Sequence, residues 1–206
     1  MAKPRYLWRK LNAIEQETVL AKRKEFGRPW HTPPHRPNYG RSRFHITAGC
    51  FEHHPIIGHS PERLDSFARD LLTICQPLAD RIFAWCVLPN HYHMLVEVPD
   101  VLALLTALGR LHGRTSYYWN GEEQCRGRQV FHNSVERAMK SERHYFATLN
   151  YIHHNPVHHK YTQRWQDWPW SSATQYLEQM GRDEAQRIWE EYPVLDYGAG
   201  WDAPDF

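Results

Sequence analysis

Two apolar runs separated only by Leu88-Pro89-Asn90 constrain this chain more than any other feature. Residues 82–88 (IFAWCVL) and 91–98 (HYHMLVEV) have strand length, and each is closed by a proline with a turn former, Pro89-Asn90 and Pro99-Asp100. So short a break permits only a tight connection, and the two runs are predicted to pair as adjacent antiparallel strands. Upstream, residues 44–51 (FHITAGCF) are β-branched and aromatic enough for a further strand. Ser60 followed by Pro61 reads as an N-cap with proline at the first helical position, and Leu64, Phe67, Leu71, Leu72 and Ile74 carry a helical period to about Pro77.

Downstream, Val101 to Tyr118 has helical apolar spacing, and residues 121–129 (GEEQCRGRQ) form a polar loop. Gln129 to His132 is expected as a short strand, and Ser134 to Asn155 as a long helix capped by Ser134, with Glu136 near its first turn. Pro156 ends that helix or starts the next. The order predicts an α+β fold, a ferredoxin-like split βαββαβ unit. Its antiparallel sheet carries helices on one face and is followed by the further long helix. The organisation expected is a basic arm over 1–42, a catalytic-size domain over 43–160 and a tryptophan-rich extension over 161–206.

Composition narrows the classes. The 206 residues suit one core, and no apolar run is long enough to span a bilayer. The N-terminal MAKPRYLWRK has no apolar stretch after its charges, so a cytoplasmic protein is expected. Cys50, Cys75, Cys86 and Cys125 form no CxxC pair, which argues against a zinc ribbon, a redox motif or a disulfide scaffold. The net charge is only +2, yet residues 1–43 hold eleven Lys and Arg against three Glu, whereas residues 181–206 hold two Arg against seven acids. A basic N-terminal segment suits a polyanion or pairs with the acidic tail. No Walker loop, GxSxG or HExxH occurs, so ATP hydrolysis, serine hydrolase chemistry and zincin proteolysis have no support, and no nucleotide cofactor is expected.

Two constellations carry chemistry. His91 and His93 lie two apart on the second strand of the pair, so their imidazoles share a face and can chelate one metal; equally, about one His-x-His is expected by chance among 15 histidines. Tyr151 and Asn155 lie one helical turn apart. Tyr145, Leu149 and Ile152 form the apolar stripe that is expected to face the sheet, and at about 100° per residue Tyr151 points away from it. A nucleophile beside a hard-cation ligand, or a surface tyrosine and a capping asparagine, are both compatible with that spacing.

The segments Val87-Leu-Pro-Asn-His-Tyr-His-Met-Leu-Val-Glu-Val, Ala147-Thr-Leu-Asn-Tyr-Ile-His-His-Asn-Pro-Val-His-His and Asp167-Trp-Pro-Trp-Ser-Ser together resemble the REP-associated tyrosine transposases, of the single-tyrosine HUH class. The resemblance covers roughly residues 43–176. It implies a ferredoxin-like domain that cuts and rejoins single-stranded DNA at hairpin-flanked sites, repetitive extragenic palindromes among them. It further implies Tyr151 as nucleophile, with a divalent metal held by His91, His93 and Asn155. Mg²⁺ or Mn²⁺ suits that role, and the ligand set leaves Zn²⁺ open. Monomer and homodimer are both compatible with it.

The resemblance implies that the hairpin is recognised partly near the N-terminus, which favours Arg41 and Arg43, just before the first strand, as DNA contacts, with Arg110 and Arg114 in the second helix; Arg36, Arg126 and Arg128 extend the basic set. Tyr117, Tyr118, Tyr145 and Tyr161 are rival nucleophiles. His153, His154, His158 and His159 can bind phosphate or shuttle protons, or are surface histidines. His45 can reach the face of the metal pair or be a satisfied sheet histidine. Asp167-Trp-Pro-Trp reads as a base-stacking platform or as packing of the extension. Against a strand transferase stand a non-catalytic binder of structured single strands and a hydrolase that activates water.

Overall fold

In the computed structural model, residues 11–25 and 42–194 are described, and the chain divides into two compact units, residues 1–39 and 40–206. In the first unit, α1 (Ala13–Glu25) opens on a capping box. The Glu15 N–H donates to Asn12 Oδ1 (3.0 Å) and the Asn12 N–H donates to Glu15 Oε2 (2.8 Å). The irregular arm expected over residues 27–41 lies outside the described residues.

In the second unit, the Leu88-Pro89-Asn90 break does join two paired strands, β2 (Arg81–Val87) and β3 (His91–Glu97). β1 (Arg43–Gly49) pairs antiparallel with β3, and β4 (Val135–Ala138) pairs antiparallel with β1, so the sheet order is β2-β3-β1-β4. Two helices join the strands. α2 (Pro61–Cys75) is capped by Ser60, whose Oγ accepts from the Arg63 N–H at 3.2 Å, and α3 (Val101–Glu122) is capped by Asp100. Both bury their apolar stripes against Phe44, Ile46, Tyr92, Met94 and Val96, on one face of the sheet. α4 (Glu142–His158) lies across the other face, packed on Ala84, Cys86 and Leu95. The expected α+β architecture is therefore the observed one.

Three boundaries are corrected. The fourth strand is not Gln129–His132 but Val135–Ala138, and the long helix starts after Ser141, not Ser134; the Ser141 Oγ accepts from the His144 N–H at 3.1 Å. β4 is a short edge strand that carries Glu136 and Arg137, charges an edge tolerates and an alternation test misses. Phe131 of the expected strand makes a single bridge to Cys50, and its ring packs between Phe67, His112 and Trp119. Nor does Pro156 end α4, which continues to His158.

The tryptophan-rich extension closes the fold over α4 and along the outer edge of β2. The Val87 N–H donates to the Trp170 carbonyl (2.8 Å), the Ser172 N–H to the Trp85 carbonyl (3.0 Å) and the Trp168 Nε1–H to the Val87 carbonyl (2.9 Å). Beyond it, α5 (Ala173–Met180) and α6 (Arg182–Glu191) complete the cover, and the Asn150 amide donates to the Ile188 and Tyr192 carbonyls. The Asp167–Ser172 motif is thus an edge cover, which protects β2 from pairing elsewhere. Among the described residues no helix is long and apolar enough to cross a membrane.

One glycine is required by close approach. A Cβ at Gly58 would lie 2.3 Å from the Pro89 Cβ and 2.7 Å from its Cα, because the Gly58 N–H donates to the Pro89 carbonyl in the β2–β3 connection. Gly58→Ala is expected to cost about 1–3 kcal/mol of stability in urea denaturation. An unchanged midpoint would show that the connection yields freely.

Candidate active site

β3 is buried on both faces. Alternation sends Tyr92, Met94 and Val96 toward α2 and α3, and His91, His93 and Leu95 toward α4. The His91 and His93 rings stand edge to face with centroids 4.9 Å apart, and both side chains are at most 3% exposed. α4 brings Tyr151 and Asn155 down onto them. Asn155 Oδ1 lies 3.0 Å from His91 Nε2, and the Tyr151 ring lies edge-on to His93 at 5.1 Å and to His45 at 6.1 Å. The four residues that the sequence motifs single out therefore converge on one patch of the sheet.

The orientation expected for Tyr151 is corrected. It does not point away from the core but is 4% exposed, in the same apolar cluster as Leu149 and Ile152. The stripe argument assumes a helix with one buried side, whereas the extension covers the far side of α4 and leaves nine of its residues buried.

Hydrogen bonds assign the histidine nitrogens. Asn90 Nδ2 donates to the His53 carbonyl (3.3 Å), so Asn90 Oδ1 is the accepting end and the His91 Nδ1–H, 2.7 Å away, donates to it. His91 Nε2 then presents a lone pair toward Asn155 Oδ1. Two buried acceptors at this distance repel, and the repulsion is relieved either by a cation shared between them or by a turn of the Asn155 amide that brings its Nδ2–H to His91. Asn155 Nδ2 is also buried with no hydrogen-bond partner among the described residues. Among the described residues no three side chains of His, Cys, Asp or Glu form a ligand group. An amide oxygen is the third donor available, and imidazole nitrogens with an amide oxygen can hold a divalent ion with positions left open.

The remaining candidates separate. Arg43 is exposed on the site's face of β1, bonded to Glu97 (3.4 Å) and stacked over Phe83 and Tyr145. It lines a cleft of about 450 Å³ with Lys140, Ser141 and Tyr145. Arg110 and Arg114 are exposed on α3, in the layer across the sheet, and Arg114 pairs with Asp70 (3.1 Å). Arg36 and Arg41 lie outside the described residues. Arg128 is bonded to Glu123, and this bond with Arg63 holds the Glu123 carboxyl down at about 2; Arg126 stacks on Tyr117. Tyr117 and Tyr118 are exposed on α3, Tyr161 is 42% exposed beside Trp168, and Tyr145 is half-buried, its phenol pushed up by burial.

The four α4 histidines divide as well. His153 is buried, bonded to Ser172 Oγ at 2.9 Å and stacked on Trp165. His154 is half-buried against Trp189, and His158 is exposed. His159 borders the site with its ring 5.0 Å from His91. The structure adds Asn90, which by sequence is a turn former; its place directly before His91 is the signal that marks it.

No family model matches the chain. A Haemophilus influenzae protein named as a REP-associated tyrosine transposase is 29% identical over 112 residues, 48% of this chain and 61% of that protein. The solved structure of a REP-associated tyrosine transposase bound to a REP hairpin superposes with a TM-score of 0.56 at 20% identity, over 85% of this chain and 95% of that one. The chain is thus similar in part of its sequence to a protein named as a REP-associated tyrosine transposase, and similar in fold to another. It spans about three fifths of the length of the Haemophilus relative, and the solved structure establishes the shared fold.

Burial holds the imidazole of His153 down at about 3 and that of His112 at about 4, from an ordinary 6.5. Below about pH 6.5 the unfolded chain binds more protons than the folded one, so stability is full above that pH and falls as the pH drops toward 4. Each group steepens the fall by up to about 1.4 kcal/mol per pH unit. Urea denaturation between about pH 7.5 and 5 reads the slope, and His153→Gln is expected to shallow it. A flat profile would contradict the burial of neutral imidazoles.

Proposed function

We propose that this chain is a metal-dependent single-stranded DNA endonuclease and strand transferase that acts at hairpin or palindromic repeat sites. The observation that carries the reading is the meeting of Tyr151 and Asn155 with His91 and His93 on one face of the sheet. Tyr151 Oη attacks the scissile phosphorus in line, forms a phosphate ester, and displaces the 3′ oxygen as a free hydroxyl. The 5′-phosphotyrosine keeps the bond energy, so attack by another 3′-OH rejoins strands without ATP. A phenol with a pKa near 10 is a poor nucleophile at neutral pH, and the site must stabilise the charge that develops on phosphate. His91, His93 and Asn155 would hold a Mg²⁺ or Mn²⁺ ion, which would supply that Lewis-acid stabilisation.

The hairpin-bound relative supports DNA hairpins as the partner class. Arg43, on the same face as the histidines and beside the cleft, is suited to the strand that enters the site. Arg110 and Arg114, on α3 across the sheet, would meet DNA away from the scissile phosphate.

Incubation with a labelled single-stranded hairpin library and Mg²⁺ or Mn²⁺, followed by a denaturing gel, tests the reading. A covalent protein–DNA band is expected that disappears with chelator and in Tyr151→Phe, while hairpin binding by the variant stays within about threefold of the unsubstituted protein. Cleavage without an adduct would replace this reading by a water-activating nuclease. Binding of the native hairpin with neither cleavage nor adduct would replace it by a non-catalytic binder.

Removal of Arg43 is a separate test. Arg43→Ala is expected to weaken hairpin binding across sequences and to lower the salt slope by about 1. Arg114→Ala, on the far layer, is expected to change cleavage of a short substrate less. Equal losses would assign the entering strand to the α3 surface.

A further inference from the structure

His45 is the buried group of the site that the proposed chemistry leaves without a role. In the antiparallel β1–β3 ladder it stands opposite Leu95, so His93 is its diagonal neighbour on the same face. His45 Nε2 lies 3.1 Å from His93 Nδ1, their rings are 5.1 Å apart with a tilt of 40°, and the two side chains are 0% and 1% exposed. A contact of two imidazole nitrogens holds one proton, and its position decides what His93 can do. With the proton on His45, His93 accepts at Nδ1 and its own proton stands on Nε2, which then has no lone pair to give. With the proton on His93, Nδ1 donates and Nε2 is left as a donor to a metal.

The other member of the pair shows which arrangement suits the site. His91 already donates from Nδ1, to Asn90 Oδ1 at 2.7 Å, and turns its Nε2 toward Asn155. We propose that His45 is a positioning residue that does for His93 what Asn90 does for His91. By accepting the Nδ1–H of His93 it fixes the tautomer and the ring so that the Nε2 lone pair faces the ion position. His91 and His93 then present equivalent nitrogens, held by acceptors of different kinds, one from the β2–β3 connection and one from β1. This inference rests on the reading of His91, His93 and Asn155 as a metal site. Outer partners of this type typically contribute 10–100-fold in metal affinity.

The test uses the full chain with two variants. His45→Phe keeps an aromatic ring in the buried position beside Tyr151 and removes the acceptor; His45→Gln keeps an acceptor at about the same reach. Nitrogen-15 NMR of the imidazoles in metal-free protein reads the tautomer of His93, and calorimetric titration with Mn²⁺ reads affinity. The expected result is an Nδ1–H tautomer of His93 in the unsubstituted protein. His45→Phe is expected to lose that preference and to bind Mn²⁺ about 10–100-fold more weakly, with its thermal midpoint no lower, and His45→Gln to retain both properties within a few-fold. An Nε2–H tautomer of His93 in the unsubstituted protein, or undiminished Mn²⁺ affinity in His45→Phe, overturns the proposal. Absence of Mn²⁺ binding by the unsubstituted protein overturns the metal reading as well, and the tautomer spectrum distinguishes that failure from a failure of His45 alone.

Discussion

The burial of β3 on both faces is the constraint from which the rest of this structure follows. A strand covered on one side only would leave His91 and His93 in water as ordinary surface imidazoles. Here α4 covers that side, and the two rings lie in a protected layer with a tyrosine, an amide and a third histidine. Each polar group taken from water must find a partner or a charge there. That requirement gives the site its order. Asn90 and His45 engage the inner nitrogens, and the outer nitrogen of His91 converges with the Asn155 oxygen.

Holding α4 in place is the work of the C-terminal extension. A helix that packs on a sheet through one side retains freedom to slide or roll, whereas α4 is gripped from both. Asn150 donates to two carbonyls at the end of α6, His153 is bonded to Ser172, and Phe146 stacks on Tyr192 at 4.8 Å. The segment from Trp168 to Ser172 bonds to the edge of β2, so the same stretch that covers α4 also closes the sheet. Motif residues that look like base-stacking aromatics thus have a structural use, and the position of Tyr151 depends on residues beyond position 160.

How much was legible depended on how local each feature is. The β2–β3 pair, the Ser60 cap and the two helices packed on one face rest on short-range patterns, and each forms as read. β4 differs from the expected strand because Val135–Ala138 is short and charged and becomes a strand only by pairing with Phe44–Thr47. The start of α4 shifts with it, since Ser134 and Ser141 are both acceptable caps and only the strand between them decides. The orientation of Tyr151 departs from the stripe because a hydrophobic stripe reports one buried side, and α4 has two.

The spacing of His91 with His93 and of Tyr151 with Asn155 is set by the sequence alone, because strand and helix periods put each pair on a single face whatever surrounds them. Their meeting is not. His91 and Asn155 are 64 positions apart, and their 3.0 Å contact arises from the packing of α4 on the sheet under a cover that begins after both. Periodicity acts over a few residues, whereas the distance between remote segments follows from the burial of whole surfaces. The tertiary structure alone therefore made one site of two motifs, and brought His45 into it.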